Sequence, residues 1–194
     1  MAERPSPLES TFQSLREIAR DTARRLGKEV RLHLKGSATE WGASDLSRIQ
    51  EALVHSLTNA IDHGIEAASE RETLGKPAAG QIWISFDEEN GESVVSIRDD
   101  GAGIDLSAVH RKALGLGLLA SPHELALEES LELIFQPGFS TKNAVTEVSG
   151  RGVGLDIVRA VAESFSGKAG IDTTRGKGTT VFLRFPKRKH PIAA

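Results

Sequence analysis

HSLTNAIDHGIE, at residues 55–66, interleaves an apolar helical repeat with polar side chains of ligand type. Ile49, Leu53, Leu57, Ala60 and Ile61 recur at helical spacing and predict a helix from about Ser44 that carries this stretch. On it, His55, Asn59, Asp62 and His63 stand at i, i+4, i+7 and i+8, near one face. Taken alone, a solvated surface accounts for such a stripe. Its content points to a second reading. An Asn amide oxygen is a hard ligand suited to Mg²⁺, and the neighbouring His and Asp side chains can orient water or phosphate oxygens.

Upstream of this helix, Phe12, Leu15, Ile18, Ala19 and Leu26 predict a first helix, with Gly27 placed to cap its C-terminus. Val30, Leu32 and Leu34 then alternate with Arg31 and His33, the pattern of a short half-buried strand. Downstream, Ile82, Ile84 and Phe86 alternate, as do Val95 and Ile97 after the Asn90-Gly91 turn signal, so residues 81–98 read as an antiparallel hairpin. Two short helical patterns lie between Ile104 and Phe135, the second opened by Ser121-Pro122-His123-Glu124. Residues 136–150 read as a loop of the length used for active-site lids. A helix resumes at Val153, with Ile157, Val161 and Phe165 on its apolar stripe, and a second hairpin turns at residues 175–178. This order lacks the alternation that builds a parallel doubly wound sheet. It fits an α+β two-layer sandwich with helices on one sheet face.

Two glycine-bearing segments lie on either side of the two short helical patterns. Asp99-Asp100-Gly101-Ala102-Gly103 follows an apolar strand, where a carboxylate can accept a hydrogen bond from an exocyclic amine while the glycines admit a ligand to the backbone; an ordinary Asp-Gly turn has the same pattern. Gly150-Arg151-Gly152-Val153-Gly154 precedes a helix, whose unpaired N–H groups form an anion site, although a glycine hinge fits as well. No Gly-Lys-Ser/Thr follows, so this is not a P-loop, and no apolar strand precedes it, so it is not a dinucleotide fingerprint.

Composition removes other classes. The 194 residues carry a net charge of −3, which offers no footprint for nucleic acid or an anionic membrane surface. There is no cysteine, hence no disulfide or thiolate chemistry. No apolar run approaches the roughly 18 to 20 residues needed to span a bilayer, and residues 1–11 lack an apolar signal region. The expectation is a cytoplasmic chain of one domain over residues 1–190, with a lead-in helix and first strand at 10–36, a lid at 136–154 and a basic tail at 187–194.

In this order, HSLTNAIDHGIE (55–66), DDGAGID (99–105), FQPGFST (135–141), VSGRGVGLDIV (148–158) and GKGTTVFLRFP (176–186) resemble the ATP-binding catalytic domain of GHKL proteins, and within it the CheA-type chemotaxis histidine kinases. The resemblance covers about Phe12 to Pro186. It implies the Bergerat fold, a mixed and mostly antiparallel sheet with helices on one face, and it implies ATP with Mg²⁺. Carried over residue by residue, it makes Asn59 the Mg²⁺ ligand and places His55, one turn earlier, as general base or polarising group. Asp62 and His63 would line the nucleotide site. Asp99 would take the adenine amino group, helped by Gly101, Gly103 and the Thr179 hydroxyl. Lys112, Ser140, Thr141 and Lys142 would approach the phosphates. Gly150, Arg151, Gly152, Val153 and Gly154 would fold over them as the lid, with Phe135 and Phe139 packing to anchor it.

The reaction implied is transfer of the γ-phosphoryl group of ATP to a histidine on a separate phosphotransfer domain, with a response regulator receiver downstream and receptor-coupling proteins reached through further domains. None of His33, His55, His63, His110, His123 and His190 resembles the family's acceptor. Thr58 stands where CheA-type proteins often carry Arg, and Ala108 replaces a basic residue common one turn before Lys112; both departures predict reduced nucleotide affinity or turnover. The chain is expected to be a fragment of a larger kinase or a stand-alone module. A GHKL ATPase acting as a conformational switch and a nucleotide-binding pseudokinase scaffold are the other readings, and DHGIE and PGFST resemble the kinases rather than the ATPase branches.

Overall fold

The computed structural model describes residues 5–36, 41–119, 125–137, 139 and 155–187. The first helix, α1 (Pro7–Arg25), starts where its sequence can begin one: Ser6 Oγ accepts the Glu9 N–H at 3.1 Å, and Pro7 sits in the first turn. It ends at Gly27, whose φ of +63° lets the Lys28 N–H reach back to the Ala23 carbonyl at 2.9 Å. Strand β1 (Val30–Lys35) follows, then α2 (Ala43–Asn59).

The predicted continuous helix through residue 66 is not what forms. After Asn59 the chain widens into a π-helical turn, Ala60–Gly64, closed by the Ile65 N–H on the Ala60 carbonyl at 2.8 Å. Wide turns of this kind leave carbonyls without their usual partners. Here Lys28 Nζ donates to three of them, Ile61 and Asp62 at 2.8 Å each and Ile65 at 2.7 Å. A short helix that the periodicity did not predict, α3 (Ala68–Thr73), leads on to the β2 (Gly80–Glu89) and β3 (Glu92–Asp99) hairpin. Its turn uses Asn90 and Gly91 at φ +52° and +80°, as the Asn-Gly pair predicts.

Two short helices follow, α4 (Leu106–Gly115) and α5 (Leu127–Ile134), then α6 (Asp156–Ser164), β4 (Lys168–Thr174) and β5 (Gly178–Pro186). The cap expected at Ser121-Pro122-His123-Glu124 lies outside the described residues. Where α5 begins, Glu129 reaches back to the Ala126 N–H at 2.9 Å.

The five strands form one sheet in the order β1-β2-β3-β5-β4. The β1–β2 pair is parallel and the other three are antiparallel, so the sheet is mixed and mostly antiparallel. Helices α1, α2 and α6 pack together on one face of it. Alternation decides what lies beneath them. Ile82, Ile84 and Phe86 of β2, Val95 and Ile97 of β3, and Val181, Leu183 and Phe185 of β5 are all buried against Leu15, Ile49, Leu53, Leu57 and Val158 of the helices. The opposite parity carries Trp83, Arg98, Phe182 and Arg184 on the open face, where His33 stacks on Trp83. The same period of two puts Asp99 on the inner side, two residues beyond Ile97. A carboxylate therefore ends the strand directly under the helix layer.

Candidate functional site

Where β3 runs out beneath α2, the layers part around a cavity of about 310 Å³. Ile97 and Val181 form its apolar floor, with Asp99 and Thr179 at the strand ends. Ser56, Asn59, Ala60, His63 and Gly64 come from α2 and its π-helical turn. Gly103, Ile104, Asp105, Ala108 and Val109 close one side, and Ile134, Phe139 and Leu155 complete the wall. A mostly apolar cleft with a few convergent polar groups is the usual form of a small-molecule site.

Asp99 is 4% exposed and is held by the chain around it. Its Oδ1 accepts the Gly101 N–H at 2.8 Å. Burial pushes its carboxyl up to about 6, against the N–H groups of Gly101 and Thr179, which pull it down; the nearby Asp100 and Glu66 charges add to the rise. Glycines make this packing possible. A Cβ on Gly178 would stand 1.9 Å from the Asp99 carbonyl oxygen, and one on Gly101 would stand 2.0 Å from the Gly64 carbonyl oxygen. The Ala102 N–H donates to that same Gly64 carbonyl at 2.9 Å, which joins the DDGAG loop to the end of the π-helical turn.

Behind the loop lies a buried ionic network. Arg71 Nη1 donates to Glu66 at 2.8 Å, Nη2 to Asp100 at 2.8 Å, and Nε to the Pro77 carbonyl at 2.8 Å. Lys76 Nζ adds bonds to Glu66 at 2.6 Å and to the Asp100 and Gly101 carbonyls at 2.8 and 2.9 Å. Burial alone would raise the Glu66 carboxyl, but the hydrogen bonds from Lys76 and Arg71 prevail and hold it below the usual range. At the other rim, Asp105 caps α4 by accepting the Ala108 N–H at 3.1 Å and pairs with Arg175 at 3.3 Å; the Ala108 bond is the main reason its carboxyl lies below the usual range.

Of the residues expected at the site, Asn59, His63, Asp99, Gly103 and Thr179 share this cavity. His55, Asp62, Gly101 and Lys112 are not among its walls. His63 lines the cavity and Asp62 does not, although the Asp62 carboxylate stands 3.7 Å from His63 Nε2. Gly101 acts from behind, through Asp99. Lys112 lies near the end of α4, in the last turn, half-buried. Ser140, Thr141, Lys142 and Gly150, Arg151, Gly152, Val153 and Gly154 lie outside the described residues. Phe135 packs in the main core under Arg159, at 4.4 Å from guanidinium to ring, whereas Phe139 both packs on Val109 and Ala113 and lines the cavity.

Sequence reasoning missed Ser56, the Arg71–Lys76 network and the Lys28 cap. No local pattern marks any of them.

A mixed sheet with helices on one face and a carboxylate-floored cleft beside the helix layer defines an ATP-binding fold of the kinase and chaperone type, and the comparisons agree. Residues 44–189 match the family model of the histidine kinase-, DNA gyrase B-, and HSP90-like ATPases. The chemotaxis protein CheA of Cereibacter sphaeroides is 40% identical over 186 residues, 96% of this chain and 27% of that protein. The gliding motility regulatory protein of Myxococcus xanthus is 38% identical over 93% of this chain and 24% of that protein. The fold also matches the catalytic domain of histidine kinase ThkA, with a TM-score of 0.55 at 21% identity over 96% of this chain and 97% of that one. The chain belongs to the histidine kinase-, DNA gyrase B- and HSP90-like ATPase family, and within it to the CheA-type ATP-binding catalytic domains. It spans about a quarter of the length of those curated relatives. Among the described residues, no helix is long and apolar enough to cross a membrane.

Proposed function

We propose that this domain binds ATP with Mg²⁺ in the cavity between α2 and the β3 end and passes the γ-phosphoryl group to a histidine on a separate phosphotransfer domain. The observation that carries the reading is the convergence of Asn59 and Asp99 on one cavity, the first from the helix layer and the second from the sheet. Adenine fits the Asp99 end, where the apolar Ile97 and Val181 give it a floor. Its amino group would donate to the Asp99 carboxylate, with Thr179 alongside.

The donor set suits Mg²⁺ that arrives with the nucleotide. Among the described residues no group of three His, Cys, Asp or Glu side chains could hold a metal, and Mg²⁺ in phosphoryl-transfer sites takes one or two protein oxygens with phosphates and water completing its shell. The Asn59 amide oxygen supplies such a ligand, and the ion offsets charge on the transferring group. His55, one turn earlier, would polarise water or the incoming acceptor. Lys112, Ser140, Thr141, Lys142 and the segment Gly150 to Gly154 would hold and cover the phosphates. Most of the catalysis is then positioning.

The acceptor belongs on another domain. His33 is stacked on Trp83 and hydrogen-bonded to Gln81, and His110 is bonded to Ser130 at 2.7 Å between α4 and α5; neither is presented as an acceptor. A receiver domain would take the phosphoryl group next. The test is to incubate the purified chain with ATP, Mg²⁺ and a separately supplied histidine phosphotransfer domain. Acid-labile phosphohistidine on that domain is expected, and it should vanish with Asn59→Ala. Nucleotide binding without transfer to any acceptor would make the chain a scaffold, and hydrolysis with no phosphoprotein would make it a switch.

A further inference from the structure

Ser56 lies on α2 one turn before Asn59 and Ala60, and it is 3% exposed. Among the described residues, its hydroxyl is the one buried side-chain polar atom without a hydrogen-bond partner. A serine inside a helix usually settles such a hydroxyl on the carbonyl four residues earlier. This one does not bond to Ala52, and Ser56 is among the residues that line the cavity with Asp99, Ile97 and Val181. Its neighbours along the helix, Ala52, Leu53, Leu57 and Ala60, are all buried and apolar. An alanine at position 56 would continue that apolar surface without loss, whereas a buried hydroxyl left unpaired costs stability. The feature is therefore unfavourable to the empty fold and favourable only to something that enters the cavity.

Resting on the adenine-nucleotide reading above, we propose that Ser56 is a base-reading residue, its hydroxyl donating, directly or through one water, to a purine ring nitrogen next to the amino group that Asp99 accepts. The two residues approach the base from different layers, Ser56 from α2 and Asp99 from β3. Together they present one donor and one acceptor to adjacent positions on the ring edge. Adenine offers the complementary pair, an amino donor beside an unprotonated ring nitrogen. Hypoxanthine does not, because its oxygen replaces the amino group and would face the Asp99 carboxylate, acceptor against acceptor. The pair thus selects adenine over a 6-oxopurine at the cavity floor, away from the phosphates.

Calorimetric titration of the whole chain with ADP and with inosine diphosphate, each with Mg²⁺, tests this against the variant Ser56→Ala. The expected result is a loss of about 5- to 10-fold in ADP affinity, the worth of one hydrogen bond, with little change for inosine diphosphate. The unliganded variant should melt at the same temperature as the wild type or higher. ADP affinity within twofold of wild type in Ser56→Ala would overturn the proposal. So would an affinity loss accompanied by a lowered melting temperature, which would make Ser56 a packing residue. Failure of the wild-type chain itself to bind ADP would overturn the nucleotide reading instead, and the two failures are distinguished within one titration series.

Discussion

Arg71 Nη2 stands 2.8 Å from Asp100 Oδ2, and the arginine that makes this bond is itself 0% exposed. Its other guanidinium nitrogen holds Glu66, the residue that follows the π-helical turn and Ile65. One buried cation therefore fastens the segment that follows α2 and its π-helical turn to the residue beside Asp99. Gln81 adds a backbone N–H to Asp100 Oδ1 at 2.9 Å, so both oxygens of that carboxylate are fixed.

Removing the cation takes from Glu66 and Asp100 the partner they share, while Lys76 still holds Glu66. Arg71→Met is expected to cost about 3 to 5 kcal/mol, the usual penalty for breaking a buried pair from one side, and to lower ADP affinity in whatever fraction remains folded. Arg71→Lys should recover little, because an ammonium cannot serve two carboxylates and the Pro77 carbonyl with a planar fork. Asp100→Asn should be milder, since that side chain is partly open to solvent. Urea unfolding of the three variants checks the order, and an Arg71→Met chain as stable as wild type would remove the network from any role in holding the site.

The Asp99 carboxyl, pushed up to about 6 mainly by burial, makes two opposite pH dependences. In the unliganded protein its folded pKa exceeds the ordinary aspartate value of 3.8, so the fold prefers the protonated form. Its contribution to stability is fully present below about pH 4 and is lost as the pH rises through about 6; a shift of this size is worth roughly 3 kcal/mol. Nucleotide binding has the other sign, because the ionised carboxylate is the stronger acceptor for an amino group. ADP affinity should therefore rise between pH 5 and 7. Phosphate groups titrate in the same window, so the measurement compares wild type with Asp99→Asn at each pH. The ratio of their affinities should grow with pH, and a flat ratio would exclude Asp99 as the adenine acceptor.

How far the sequence reached depends on the range of the interactions involved. Strands declared themselves because inner and outer residues alternate, and the same count of two places Asp99 with Ile97 under the helices. Helix α1 was readable at its C-terminal end from Gly27, whose effect is local, but its start at Ser6-Pro7 was not read. The segment 55–66 was readable as a helix but not as one that changes pitch. Its π-helical turn depends on Lys28, more than 30 residues away, whose ammonium satisfies the carbonyls that the turn releases. At the site this matters for the residues of the turn itself, of which Ala60, His63 and Gly64 line the cavity and Asp62 does not. Helix α3 and its Arg71 were invisible for a similar reason: six residues are too few for a periodicity, and a buried arginine declares itself only through partners at Glu66 and Asp100.

That long-range cap carries the last prediction. Lys28 Nζ places three donors on the carbonyls of Ile61, Asp62 and Ile65, at the end of α2, where the helix dipole is negative. Lys28→Met keeps the aliphatic stem and removes both the charge and the donors. Bonds from a charged donor contribute about 1.5 to 3 kcal/mol each in mutational series, and water can replace part of the loss at a half-buried position, so a net cost of about 2 kcal/mol is expected. The local effect should exceed the global one. The Ile65 N–H, bonded to Ala60, closes the π-helical turn, and its hydrogen exchange should accelerate more than that of the Leu53 or Leu57 amides higher on α2. ADP affinity should fall in step with that opening, since Ala60, His63 and Gly64 all line the cavity. Lys28→Arg should not restore it, because a planar guanidinium cannot converge on three carbonyls as an ammonium does. Equal exchange at Ile65 in the wild type and Lys28→Met would show that the turn holds its shape without the lysine.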